Sequence, residues 1–365
     1  MLSPQARRNI SRIVPFGIIW LLFSAVYTLL ERGLLGNLTI YPSTGNPYHF
    51  NRTFFVTAIT SSILGLCIGI IEILYLNKLF LQKSFTKKLV YKTIIYVVII
   101  ILFLLILTSV YNAIELKTHI FDSRVWQNVW LFFTNYAFWS VEIYIASIIG
   151  VSLFYTEVSE NLGQNVLVNF FTGKYHTPRV EERIFMFLDM KSSTTIAEKI
   201  GHVRYFEMLR MYFSDLSDPI VQCSGEIYQY VGDEIVISWK LKNGSNGNQC
   251  IQCFFEMKAA IESQAEKYMA HFGLVPGFKA GLHIGNVTTG EIGVVKKEII
   301  FTGDILNATS RIQGLCNAYQ VDILLSEQLV QRLDLSSHFQ IDTLGESELR
   351  GKDEKMKLFS IRPID

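Results

Sequence analysis

Arg183-Ile-Phe-Met-Phe-Leu-Asp189 is an apolar run of strand length that ends in a carboxylate. Ser192-Ser193-Thr194-Thr195 follow, at the head of a helical pattern that starts from Ile196. A strand, a carboxylate and hydroxyls at a helix start make a corner suited to a metal and a phosphate. The carboxylate binds a hard cation, and the free N–H groups of a first helical turn face phosphate oxygens. Many ordinary strands also end in Asp at a helix cap, so alone the stretch establishes only strand followed by helix.

Two further elements lie C-terminal to it. Glu226-Ile-Tyr-Gln-Tyr-Val-Gly232-Asp233-Glu234-Ile-Val-Ile-Ser-Trp239 reads as a β-hairpin, with two β-rich runs flanking a Gly-Asp turn. Asp233 at its tip is expected to meet Asp189 at its strand end, and two such carboxylates can hold two divalent metals for an in-line phosphoryl displacement. In Phe301-Thr-Gly303-Asp304-Ile-Leu-Asn307-Ala-Thr-Ser-Arg311-Ile, Gly-Asp opens a helix on which Asn307 and Arg311, at i and i+4, share one face. An amide there orients a ribose, and a guanidinium neutralises charge growing on a phosphoryl group. Leu349-Arg350-Gly351-Lys352 precedes a last strand at Leu358–Ile361 and offers a phosphate clamp.

N-terminally the composition changes. Half of the 365 residues are hydrophobic, and the apolar excess sits before about residue 155. Four runs, Ile13–Leu30, Phe54–Leu76, Ile94–Tyr111 and Trp130–Phe154, are long enough to cross a hydrocarbon core of ~30 Å. The first is too long for a signal-peptide core and lacks a small-residue cleavage site. Arg7, Arg8 and Arg12 lie before the first run, and Lys78, Lys83, Lys87, Lys88 and Lys92 lie between the second and third. The other two loops carry Arg32 and Arg52, then Lys117 and Arg124. The excess of basic residues puts the N-terminus, the middle loop and, by parity, the C-terminal half on the cytoplasmic side of a cell (inner) membrane.

Glu72 and Glu142 fall inside apolar runs. Glu72, near the inner end of its helix, is expected to snorkel, whereas the more central Glu142 is a candidate for signal sensing or helix packing. From Phe154 an apolar residue recurs every fourth place through Val158, Leu162, Val166 and Phe170, a single helical stripe that either pairs with its copy in a dimer or packs on its own domain. Gly173 and Pro178 end it. Five cysteines at irregular spacing argue for a reducing compartment, and Cys250 and Cys253 read as buried helix residues. A formal net charge of +1 gives no support for a nucleic-acid partner.

Taken in order and spacing, Phe-Leu-Asp189, Val-Gly232-Asp233, Gly303-Asp304 with Asn307 and Arg311, and Arg350-Gly351-Lys352 resemble the class III adenylyl/guanylyl cyclase catalytic domain. Leu282-His283-Ile-Gly285 through Gly293 is similar to that family's glycine-bearing paired strands. The likeness runs from about Glu182 to Ile361. It implies an α+β ferredoxin-like domain acting as a head-to-tail homodimer, preceded here by an all-α four-helix transmembrane domain. The implied divisions are residues 1–154 for the membrane domain, 155–180 for a helical linker and 181–365 for catalysis. By the same resemblance Asp189, Met190 and Asp233 hold two Mg²⁺ or Mn²⁺ ions per site, and Asn307 and Arg311 come from the other subunit. Lys352, Ser192, Ser193 and Thr194 meet the phosphates. The expected partners are ATP, a second copy through the catalytic domain and linker, and membrane lipid.

At one point the sequence departs from the family pattern. The base-reading places, three residues before each Gly-Asp, hold Gln229 and Ile300 rather than the Lys with Asp or Thr common for adenine. Gln229 can donate to and accept from a purine edge, while Ile300 can only pack. The reading is adenylate cyclase. Its alternatives are a guanylate or relaxed-specificity cyclase, a diguanylate cyclase suggested by Val231-Gly-Asp-Glu-Ile, and a catalytically silent nucleotide-binding membrane regulator.

Overall fold

The computed structural model describes residues 3–40, 48–80, 83–163, 166–335, 339–348 and 355–364. The chain divides into two compact units, one formed by Ala6–Gly163 and the other built on Gln164–Asp365.

The first unit is helical: α1 (Pro4–Leu35), α2 (Phe50–Ile71), α3 (Asn77–Leu79), α4 (Phe85–Glu115), α5 (Ser123–Thr134) and α6 (Tyr136–Leu162). Four stretches, Pro4–Leu35, Phe50–Leu76, Phe85–Ile114 and Phe138–Leu162, are long and apolar enough to cross a membrane. The fourth lies further along the chain than the sequence pattern indicates. Asn135 takes an extended conformation between α5 and α6, and the Trp139 indole N–H donates to the Phe133 carbonyl at 2.7 Å, so the apolar run from Trp130 is broken before it can form one helix. The stripe expected as one helix from Phe154 is likewise split. α6 ends at Leu162, Gly163 has a positive φ of 98°, and α7 (Val166–Phe171) is separate.

Small residues bring α1 and α2 together. A Cβ on Gly65 would stand 2.6 Å from the Trp20 ring, and one on Gly69 3.0 Å from that of Phe16, a close approach characteristic of helices packed in lipid. Where α2 meets α3, residues Glu72–Leu76 form a π-helical turn. Glu72 does not snorkel: it is fully buried, and Lys92 of α4 lies 2.5 Å away. Lys92 also reaches Glu157 of α6 at 3.2 Å and the Asn77 carboxamide oxygen at 3.1 Å, while Tyr96 donates to Glu72 at 3.1 Å. Lys88 pairs with Glu157 at 3.3 Å, and Arg12 of α1 with Glu160. The cluster therefore ties α1, the π turn, α4 and α6, with three cations facing three carboxylates. Glu142 is also buried, but its Oε2 has no hydrogen-bond partner among the described residues.

The second unit is α+β. Its elements after α7 are β1 (Arg179–Met190), α8 (Ser193–Ile200), α9 (His202–Gln222), β2 (Glu226–Val231), β3 (Glu234–Lys240), α10 (Leu241–Ser245), α11 (Gln249–Ser263), α12 (Ala265–Phe272) and β4 (Phe278–Ile292). Then follow β5 (Glu298–Thr302), α13 (Asp304–Gly314), α14 (Cys316–Tyr319), β6 (Ile323–Ser326), α15 (Glu327–Val330), β7 (Phe339–Glu348) and β8 (Lys355–Pro363). Among the described residues the sheet order is β2-β3-β1-β4-β6-β8-β7, with β5 paired to β4. The first four strands, with helices after β1 and β3, form the split βαβ arrangement of a ferredoxin-like fold.

Alternation along β1 sets the two faces of the sheet. Ile184, Met186, Leu188 and Met190 enter the main core with Met208, Leu216, Phe254 and Met257 of α9 and α11. Phe185 and Phe187 enter a second cluster with Val236, Val287 and Ile305 on the other face. Asp189 shares the parity of Phe185, so it stands on the face that α13 covers. Cys250 and Cys253 are buried in α11, as their periodicity indicates.

Candidate active site

The carboxylate corner follows from sheet register. Asp189 is paired with Glu234 across β3 and with Lys279 across β4. Glu234, Asp189 and Lys279 thus form one cross-strand row on one face. Asp233 precedes Glu234 in the β2–β3 turn, where Gly232 takes the positive φ of 64° that the reversal needs. The structure thereby brings Asp189 and Asp233 together.

Two groups that the motif reading missed hold Asp189. Lys279 Nζ lies 3.4 Å from its Oδ2, and Gln313 Nε2 donates to the same oxygen at 3.3 Å. Gln313 gets there because α13 rides directly over β4: a Cβ on Gly281 would fall 2.3 Å from the Gln313 main-chain nitrogen. A signal for Lys279 is present in the sequence. It is the single charged residue in Phe278–Ile284 and has the strand parity of Gly281 and His283, away from the main core. Gln313 has no such signal, since its contact depends on how a helix crosses a strand 124 residues from its partner.

Negative charge exceeds positive at this corner: Asp189, Asp233 and Glu234 face Lys279. Burial, and next the Asp233 charge, raise the Asp189 carboxyl above its usual range. Glu234 is pushed up to about 7 by burial and by the two aspartates. Each shift reports first a carboxylate withdrawn from water and next the repulsion of the carboxylates beside it.

The other expected site residues are spread over several elements. Met190 turns its side chain into the core at 2% exposure, so only its main-chain carbonyl remains available to a metal. Ser192, with φ 55°, precedes α8, and Ser193 and Thr194 open it, which leaves that helix's first N–H groups at the corner. Asn307 is exposed and Arg311 half-buried on α13, whose Ile305, Ala308 and Ile312 face the sheet. Neither has a hydrogen bond or ion pair to Asp189 or Asp233 among the described residues. Arg311 precedes Gln313 by two residues, about 200° round the helix, so the face carrying Arg311 turns away from the corner that Gln313 reaches. Gln229 is exposed on β2, and Ile300 is half-buried on β5 opposite Gly290 of β4. Lys352, with Arg350 and Gly351, lies outside the described residues.

Residues 176–363 match the family model for the adenylate and guanylate cyclase catalytic domain. The chain belongs to this family. Over 222 residues it is 36% identical to adenylate cyclase 2 of Rhizobium meliloti (strain 1021), a stretch that covers 61% of this chain and 61% of that one. It is 25% identical over 183 residues to an adenylate cyclase of Anabaena cylindrica, covering 48% of this chain and 36% of that one. It is 29% identical over 192 residues to guanylate cyclase 2D of Rattus norvegicus, covering 45% and 17%. The chain thus spans between about a sixth and three fifths of the length of these relatives. Among solved structures a bacterial light-regulated adenylyl cyclase superposes with a TM-score of 0.52 at 16% identity, covering 62% of this chain and 66% of that one, which is a likeness of fold.

The cyclase family implies a divalent metal. Among the described residues no cluster of three or more His, Cys, Asp or Glu side chains is arranged to hold one. The two aspartates nevertheless fit it. Asp233 Oδ2 is buried with no hydrogen-bond partner among the described residues. An orphaned anionic oxygen of this kind is costly unless a cation completes it. Two carboxylates leave the remaining positions of an oxygen-ligated ion to a main-chain carbonyl, phosphate oxygens and water.

Proposed function

We propose that the chain is a membrane-anchored adenylate cyclase that converts ATP to 3′,5′-cyclic AMP and pyrophosphate in a homodimer. The observation that carries this reading is the Asp189–Asp233 corner, where three carboxylates face one lysine among the described residues and a buried Asp233 oxygen has no hydrogen-bond partner among them. The family membership and a relative named adenylate cyclase at 36% identity support the same chemistry.

In this reading Asp189, Asp233 and the Met190 carbonyl hold two Mg²⁺ or Mn²⁺ ions. Bound there, the ions supply positive charge to the ribose 3′-oxygen and the phosphate oxygens. The first-turn N–H groups after Ser192, at Ser193 and Thr194, and the Lys352 ammonium take the phosphates. The 3′-hydroxyl gives its proton to solvent water, its oxygen bonds to the α-phosphorus, and the bond from that phosphorus to the bridging oxygen breaks, releasing pyrophosphate. Asn307 orients the ribose, and Arg311 neutralises charge on the α-phosphoryl group.

Asn307 and Arg311 lie on a face of α13 turned from their own chain's aspartates. A second copy, docked head to tail, supplies them. We assign residues 1–154 to the membrane anchor with its surrounding lipid, 155–180 to a linker that joins the dimer contact, and 181–365 to catalysis. The N-terminus and catalytic domain are placed on the cytoplasmic side of the cell (inner) membrane. Gln229 and Ile300 stand at the base, and with one hydrogen-bonding side chain between them they favour a relaxed preference for ATP over GTP.

The test is direct. The full chain, purified in detergent, is incubated with ATP or GTP and Mg²⁺ or Mn²⁺, and the products are separated chromatographically. Cyclic AMP with pyrophosphate is the expected outcome. Cyclic GMP alone reverses the substrate, and no turnover with any divalent metal rejects the enzyme.

A further inference from the structure

The two residues placed at the base sit on segments that are tied to each other. Gln229 lies on β2 next to a register shift: Ile227 pairs with Ile237 and Gln229 with Val236, so Tyr228 is the extra residue of a β-bulge. A bulge re-aims the side chains beside it. Tyr228 is also the fastening. Its hydroxyl accepts from the Phe301 N–H at 3.2 Å, and the two rings stand 4.8 Å apart. Phe301 immediately follows Ile300. Among the described residues β5 pairs on one side only, with β4, so its outward N–H would otherwise have no strand there to meet.

The Phe301 ring is held from three directions. Tyr228 packs on it, Phe185 of β1 meets it edge-on at 5.5 Å, and the Arg183 guanidinium lies 4.6 Å from its centroid. Arg183 is 2% exposed and is itself fixed, donating to Glu181 at 3.0 Å, Glu226 at 2.8 Å and Ser238 at 2.9 Å. Glu226 begins β2. The bulged strand is thereby anchored at Glu226 through Arg183 and at Tyr228 through Phe301, and Gln229 is the next residue.

We infer that Tyr228 and Phe301, seated on Arg183, are positioning residues that set the placement of Gln229 relative to Ile300 and so determine how strictly the site discriminates between purine bases. The inference rests on the proposed nucleotide site. The physical reason is specific to this sequence. Ile300 contributes no hydrogen bond, so discrimination depends on one carboxamide, and a carboxamide presents a donor or an acceptor according to how it is held. A mobile Gln229 accepts adenine and guanine alike. A Gln229 that directly follows a strand segment pinned at Glu226 and at the Tyr228 bulge does not.

Tyr228→Phe removes the hydroxyl and keeps the ring. In the full chain, the ratio of kcat/KM for ATP to that for GTP is expected to fall roughly three- to tenfold, the worth of one neutral hydrogen bond. The change is expected in KM rather than kcat, and backbone amide exchange of the segment containing Phe301 is expected to quicken. A merely structural role would lower both nucleotides' rates together and leave the ratio unmoved. Phe301→Leu, which keeps the N–H and removes the ring seated on Arg183, is expected to move the ratio in the same direction, and it decides the case if Tyr228→Phe does not fold. A ratio unchanged within twofold in a folded variant overturns the inference. If the wild-type chain turns over neither nucleotide, the proposed function fails instead, and the inference is then judged on the ratio of ATP to GTP binding: a fall of threefold or more in the variant upholds it, and no change overturns it.

Discussion

Buried charge is handled in opposite ways in the two units. In the helical unit Lys92 and Glu72 are essentially without solvent contact, and every formal charge of their cluster has an opposite partner: Lys92 with Glu72 and Glu157, Lys88 with Glu157, Arg12 with Glu160. In the catalytic unit Asp189, Asp233 and Glu234 face one lysine among the described residues, and a carboxylate oxygen of Asp233 has no hydrogen-bond partner among them. Burial alone does not separate the two, since Arg183 in the catalytic unit is as buried as Lys92 and fully paired. The difference is what each charge set completes. A neutral cluster spanning α1, the π turn, α4 and α6 holds helices to one another, where no water competes for the polar groups. In the proposed reading, an unbalanced cluster at a strand end awaits a cation and phosphates that arrive with the substrate.

Substitutions that break each set should therefore report on different properties. The largest effect is expected from Asp189→Asn, which should lower metal-dependent turnover by about a thousandfold or more, several kcal/mol of lost charge stabilisation. Thermal unfolding of the metal-free protein should be unchanged or slightly raised by it, because a repelling charge is gone. A variant that lost stability in step with activity would place Asp189 among the structural charges instead. Lys92→Met should do the reverse, costing roughly 3–5 kcal/mol by leaving Glu72 and Glu157 buried without their cation. Adding Glu72→Leu should recover part of that cost. Unfolding in detergent measures both, and a Lys92→Met chain as stable as wild type would mean that the helical cluster is not what holds α4 in place.

The smallest effect is one of pH. Glu234 is raised from 4.5 to about 7 in the fold by burial, Asp189 and Asp233. Between those values the folded chain binds more protons than the unfolded one, so stability is fully present below about pH 4.5 and is lost as pH rises through 7. In chelator, thermal stability of wild type should fall between pH 5 and pH 8 by on the order of 1 kcal/mol, and Glu234→Gln should flatten that slope. Equal slopes in the two proteins would show that the excess negative charge is not felt at Glu234.

Much of the catalytic unit is legible in the sequence because its signals are local. The apolar run to Asp189, the Gly232-Asp233 turn and the helix from Asp304 each fit within about a dozen residues, and each appears where the pattern places it. What stays hidden depends on register between distant segments. Lys279 meets Asp189 across 90 residues because β4 pairs with β1 at that point, and Gln313 meets it because Gly281 lets α13 descend. In the helical unit the number of long apolar helices is legible from hydrophobic length, whereas the fate of Glu72 is not. Lys92 reads as a basic loop residue that orients the chain, yet it is the buried partner of Glu72. The fourth span is displaced because one extended residue, Asn135, outweighs a continuous apolar composition.

In the proposed reading the unbalanced corner is also incomplete in a single chain, since Asn307 and Arg311 sit on the far face of α13. The most direct measurement is complementation between two inactive chains. Asp189→Asn and Arg311→Ala proteins are purified together after co-expression and assayed for cyclic AMP from ATP with Mn²⁺. Each should be inactive alone. Random mixing makes half of the dimers heterodimers, each with one intact site of two, so the mixture should regain about a quarter of wild-type turnover. A mixture no more active than either parent would contradict a site that takes its carboxylates from one copy and its Asn307 and Arg311 from the other.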